Sequence, residues 1–149
     1  MAEGMQKGSI EIDAPPKVVM DEIADFEAYP EWIAEFKKVD VRERDDQKRG
    51  KQVYWEVAQG PLKANYVLEY TYAPSDGGVS WKMLEGHNMK RVEGGYALSP
   101  VDGGKRTKVE YEMVVDTPLP MPGFVRRGIE RKAIDTALKG LKKRVEGKR

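Results

Sequence analysis

The chain has no cysteine and only one histidine, His87. The first absence excludes disulfides, thiolate metal sites and cysteine nucleophiles. The second leaves a single base for any Ser-His-Asp arrangement and excludes a histidine-rich metal centre. No apolar run approaches the roughly 20 residues that cross a bilayer. Residues 1–7 are polar and lack the apolar stretch of an export signal, so the expected location is the cytoplasm. Neither sign of charge dominates: 26 Lys and Arg stand against 25 Asp and Glu, and bulk charge gives no pull toward nucleic acid. The glycine pairs at 77–78, 94–95 and 103–104 lack the following helix and Lys-Ser/Thr of a phosphate loop. Asp45 and Asp46 sit in a charged loop and read as solvated. No metal and no cofactor is expected.

What is present is enough apolar material, 40% of 149 residues, for one core under a heavily charged surface. One domain over residues 1–149 is expected. Ile10 and Ile12 alternate with polar neighbours as a strand does. Pro15 and Pro16 then open a short helix carrying Val19 and Ile23. A second short helical piece, with Asp25 as candidate N-cap, spaces Phe26, Tyr29, Ile33 and Phe36 by threes and fours; Pro30 should split it.

Period-two patterns follow. They run through Val39 and Val41; Val53, Trp55 and Val57; and Leu62, Ala64, Tyr66, Leu68, Tyr70 and Tyr72. Three more comprise Val79, Trp81 and Met83; Val92, Gly94, Tyr96 and Leu98; and Thr107, Val109, Tyr111, Met113 and Val115. Gly94-Gly95 suggests a bulge or bend. After the proline-rich stretch 117–123, Val125, Ile129, Ala133, Ala137, Leu141 and Val145 recur every four residues, joined by Ile134 and Leu138, as one long amphipathic helix. The pattern is α+β: a strand, two short helices, about six antiparallel strands with one wet face, and a long helix.

A sheet of six to seven strands must cover its apolar face, and one helix cannot fill the whole of a curved one. The inward phase carries Trp55, Tyr66, Tyr70, Tyr72, Trp81, Met83, Tyr96, Tyr111 and Met113. Inward tyrosine hydroxyls without partners cost about 1–3 kcal/mol each, so a cavity holding water or a ligand accounts for them better than a closed core. The expected lining is Tyr66, Leu68, Tyr70, Trp81, Met83, Tyr96, Tyr111 and Met113 from the sheet, with Phe124, Ile129 and Ala133 from the helix. The connector 118–123 and the turn around His87 are the expected mouth.

Residues 9–19 (Ser-Ile-Glu-Ile-Asp-Ala-Pro-Pro-Lys-Val-Val) and 23–33, with the run Asp25-Phe26-Glu27-Ala28-Tyr29-Pro30-Glu31-Trp32, resemble the opening of the polyketide cyclase/dehydrase and coenzyme Q-binding branch of the START-like superfamily. The turn at 103–104 and the terminal helix extend the resemblance over roughly residues 8–146. It implies a helix-grip fold, a curved antiparallel sheet wrapped around the C-terminal helix. It also implies binding or transport of a lipid, isoprenoid quinone or polyketide, with aromatase/cyclase activity as the alternative. Tyr29 and Trp32 would anchor the short helices against the sheet.

A cyclase needs an acid or base within reach of its substrate, and the inner phase of the strands offers tyrosine and threonine but no charged residue. Lys90 can snorkel outward, and His87 reads as a solvated turn residue. The residues therefore favour a binder of a small hydrophobic molecule over an enzyme. A third reading rests on the ten Lys and Arg from Arg126 onward. Arg126, Arg127, Lys139, Lys142, Lys143 and Arg144 could form an outer basic stripe that touches anionic membrane transiently. No nucleic-acid motif is visible. Monomer and homodimer are both compatible with the sequence.

Overall fold

The computed structural model describes residues 6–59, 62–118, 120 and 122–147. Strand β1 (Gln6–Ile12) leads into α1 (Pro16–Ala24) and a 3-10 turn (Phe26–Glu31). Six strands follow: β2 (Phe36–Arg44), β3 (Gly50–Gln59), β4 (Leu62–Tyr72), β5 (Gly78–His87), β6 (Arg91–Val101) and β7 (Arg106–Asp116). Helix α2 (Gly123–Gly147) closes the order. The strands form one sheet in the order β1-β7-β6-β5-β4-β3-β2, with every neighbouring pair antiparallel. No helix among the described residues is long and apolar enough to cross a membrane.

The second of the two expected short helices is a 3-10 turn. Asp25 makes no side-chain cap to it, and Pro30 lies inside it without dividing it. Phe36 falls beyond it, at the start of β2. The Gly94-Gly95 pair makes no bulge: the β5–β6 and β6–β7 registers run through it unbroken. Register shifts lie elsewhere, between β4 and β5 at Val67 and Leu68 and at three points between β2 and β3.

Coverage of the sheet is uneven, and this shapes the interior. Helix α2 rests on β1 and β7, and the 3-10 turn rests on β2 at the opposite edge. The helix approaches β1 closely because Gly8 has no side chain: a Cβ there would lie 2.6 Å from Ile134 Cγ2. Gly8→Val should therefore drive methyl groups into Ile134 and Leu138 and cost about 1–3 kcal/mol, read as a Tm lowered by several degrees in thermal denaturation. An unchanged Tm would show that the helix sits farther from the sheet.

At its far end, α2 is clamped to the short elements. Arg144 Nε donates to Glu22 Oε2 at 3.2 Å, and its Nη2 pairs with Glu31 at 3.1 Å. Trp32 packs against this helix: a Cβ on Gly140 would lie 3.0 Å from its Cε3. Supports at both edges leave the middle strands, β4 to β6, uncovered beneath the helix.

Candidate functional site

A cavity of about 640 Å³ occupies that uncovered middle, between the concave face of β3–β7 and the first half of α2. Its floor is a run of rings. Tyr70 and Trp81 have centroids 5.9 Å apart, Trp81 and Tyr96 5.6 Å, and Tyr96 stacks on Tyr111 at 4.5 Å. Period-two alternation on adjacent strands brings these residues onto one face. Trp81 lies flat across β6 because its partner there is Gly94, where a Cβ would stand 3.0 Å from Trp81 Cζ2 and 2.4 Å from the Glu112 carbonyl oxygen.

One end is closed by Trp55, whose ring meets Phe36 at 4.6 Å, Tyr29 at 5.2 Å and Phe26 at 5.9 Å. Its Nε1 donates to the Tyr70 hydroxyl at 3.1 Å. The Tyr29 hydroxyl is spent locally, donating to the Ile23 carbonyl at 2.5 Å.

Tyr66, Tyr96 and Tyr111 also line the cavity, and their hydroxyls have no hydrogen-bond partner among the described residues. Burial pushes all three well above the ordinary phenol range, and the Tyr111 hydroxyl raises Tyr66 and Tyr96 further. They stay neutral at physiological pH and present O–H donors to whatever enters. Helix α2 adds a charged group to the wall. Glu130 is 1% exposed, and its Oε2 accepts from the Val115 N–H at 2.8 Å. Its Oε1 is buried without a partner. Burial pushes the Glu130 carboxyl up, while the Val115 bond and the Arg126 charge pull it partly back. Arg126, one turn earlier, donates from Nη1 to Asp116 Oδ1 at 2.8 Å and leaves its Nε buried and unpartnered. Among the described residues, no group of three His, Cys, Asp or Glu could hold a metal ion.

The sequence model of the polyketide cyclase / dehydrase and lipid transport family matches residues 12–142. The chain belongs to that family. No curated protein matches its sequence. Among solved structures, a START superfamily protein from Mycobacterium smegmatis superposes with a TM-score of 0.87 at 22% identity, over 97% of this chain and 99% of its own. A protein from Thermus thermophilus gives 0.75 at 21% identity, over 96% and 97%. The Zhui aromatase/cyclase from Streptomyces sp. R1128 gives 0.78 at 15% identity, over 95% and 93%. Identities this low carry the fold, which is the helix-grip α+β architecture, and nothing finer.

Within this family member, the cavity wall includes Tyr66, Leu68, Tyr70, Trp81, Tyr96, Tyr111 and Met113 from the sheet and Ile129 and Ala133 from the helix. Two expected residues stand elsewhere. Met83 is opposite Leu68, but its thioether folds along its own strand over Gly86, 2.7 Å from where a Cβ there would be. It packs against the core and stays out of the cavity. Phe124, in the first turn of α2, is 71% exposed.

Part of the expected mouth reaches the cavity wall. Thr117 and Gly123 line the cavity, whereas Leu119 and Met121 of the connector lie outside the described residues. His87 is exposed and off the wall, and Met89, two residues on, takes the lining position.

The outer basic stripe is broken up. Arg126 faces inward onto Asp116, Lys142 bonds Glu146 and the Glu11 carbonyl, and Arg144 serves the clamp to α1. Sequence reasoning also missed Glu130, Arg126 and Asp116 as wall residues. The signal for Glu130 was helical phase: it lies four residues after Arg126 and four before Ile134, on the buried side of α2.

Proposed function

We propose that this family member binds a small, largely apolar molecule in the cavity between sheet and helix. The observation that carries this reading is a space of about 640 Å³ walled by aromatic rings. Pockets for small molecules commonly span about 300–1,000 Å³. Open to solvent on one side, such a cavity fills with water when no ligand is present. Water fits apolar rings poorly, and an apolar ligand gains about 25 cal/mol per Å² buried. The free tyrosine hydroxyls orient it. A lipid, an isoprenoid quinone and a polyketide all suit such a wall.

The reading is tested by native mass spectrometry of the purified chain, with organic extraction of whatever travels with it and titration of a panel of such compounds. Trp55 and Trp81 line the cavity, so their fluorescence reports occupancy. A near-stoichiometric adduct, or saturable quenching with a raised Tm, is the expected result. No adduct, no quenching and no Tm shift across the panel would overturn it.

Cyclisation of a bound polyketide is a second reading, favoured by one observation. A buried carboxyl, Glu130, stands in the cavity wall with its pKa pushed up by burial, and a positioned carboxyl is one of the groups that can serve acid–base chemistry in such a ring closure.

A further inference from the structure

The first turns of α2 leave apolar side chains and unpaired cations side by side in water. Phe124 is 71% exposed, Ile129 38% and Val125 37%. Arg127, Arg131 and Lys132 are exposed too, and they make no ion pair or hydrogen bond with any described residue. Other cations of this helix are spent: Arg126, Lys139, Lys142 and Arg144 each pair with a carboxylate. Within residues 122–134 the one acid, Glu130, is buried, so every exposed charge there is positive.

Helical phase gathers these residues. At 3.6 residues per turn, Phe124, Val125, Ile129, Arg131 and Lys132 fall within about 160° of the helix circumference. Arg127, three residues after Phe124, flanks them. Ile129 and Lys132 also line the cavity while standing exposed, so this face borders its opening. Apolar residues scattered singly on a surface need no explanation, but a cluster rimmed by charge marks a place of interaction.

We infer that the first turns of α2 dock on an anionic phospholipid bilayer. Phe124, Val125 and Ile129 enter the interface, and Arg127, Arg131 and Lys132 meet lipid phosphates. Unpaired charge of one sign calls for a partner of the other, and a bilayer interface takes the apolar side chains in the same contact. The helix lies on the surface and does not cross it. This inference goes beyond the cavity-binding reading, and the two fail separately: docking needs no ligand, and a cavity can fill from solution.

The test is sedimentation with two kinds of vesicle at about 0.1 M salt. One is phosphatidylcholine alone, and the other carries about a third phosphatidylglycerol. Each cation at such a surface strengthens attachment about fivefold, so three of them predict about 100-fold tighter binding to the anionic vesicles, falling as salt rises. Phe124→Ser should weaken that binding about tenfold, and Arg127→Gln combined with Arg131→Gln about 25-fold. All three side chains are exposed, so both variants should keep the parent Tm. In Phe124→Trp the new ring should shift its emission to the blue on anionic vesicles and be quenched by brominated lipid chains.

No sedimentation with the anionic vesicles would overturn the docking. So would equal binding to both kinds of vesicle, or binding that Phe124→Ser leaves unchanged. Attachment to poly-glutamate as tight as to the anionic vesicles would overturn it as well, and would point to an acidic protein as the partner. Each of these results leaves the cavity reading standing, because that reading is scored with soluble ligands.

Discussion

Trp55→Ala should lower the stability of the chain by about 3 kcal/mol, seen as a Tm about 10 °C lower in thermal denaturation. Truncating a buried tryptophan ordinarily costs about 3–5 kcal/mol through lost transfer energy and the hole left behind. Trp55 is 1% exposed and touches Phe26, Tyr29 and Phe36, so most of that loss applies. The lower end of the range is expected because one side of the indole already borders the cavity, and there the new hole merges with existing space. The deletion also strips the Tyr70 hydroxyl of its donor. Trp55→Phe refills most of the volume and loses that bond, and should cost about 1–2 kcal/mol. A loss below about 1 kcal/mol for the alanine variant would show that the end wall is not packed around this ring.

The strands were legible because a sheet with one buried face writes a period of two into its sequence. Tyr66, Leu68 and Tyr70 on β4, like Tyr111 and Met113 on β7, stand on the face that alternation assigns them. Periodicity reports which residues share a face and nothing about what lies opposite. Val125, Ile129 and Ala133 continue the apolar stripe of Ile134, Leu138 and Leu141, yet the first turns of α2 are more exposed than its second half. Phe124 and Ile129 are exposed there and Leu141 is sealed. Met83 had the right phase, but where its thioether folds depends on the bare strand at Gly86. The charged wall was misread for a related reason. Arg126, Asp116 and Glu130 look like surface residues one at a time, and only the fold brings a strand end and a helix turn together, pairing Arg126 with Asp116 and Glu130 with the Val115 N–H.

The position of the cavity follows from where the helix finds support. Helix α2 can lie close only where β1 offers Gly8, and the 3-10 turn holds the other edge with Phe26 and Tyr29 against Trp55. The sheet between them is too wide for one helix to seal. Large rings thicken the floor without closing it. Binding capacity in this architecture is thus a consequence of coverage, and the particular side chains decide what is bound.

That argument makes a sharp demand on Ala137, which lies on α2 directly against the cavity and is almost wholly buried. Ala137→Trp should weaken binding of any cavity ligand by about 30-fold or more while leaving Tm unchanged or raised. In a filled core an indole in place of a methyl forces neighbours out of their rotamers and costs about 1–3 kcal/mol. Here the free chain has open space to receive it, so the indole settles among the aromatic rings and buries apolar area of its own. The cost appears when a ligand competes for the same space. About 2 kcal/mol of crowding is about 30-fold in Kd. Quenching of the native tryptophans would be confounded by the new one, so the titration is read by calorimetry. Unchanged affinity would place the ligand elsewhere on the chain. A Tm depressed by more than a few degrees would mean that the space beneath the helix is closed in solution, and the cavity itself would have to be abandoned as the basis of function.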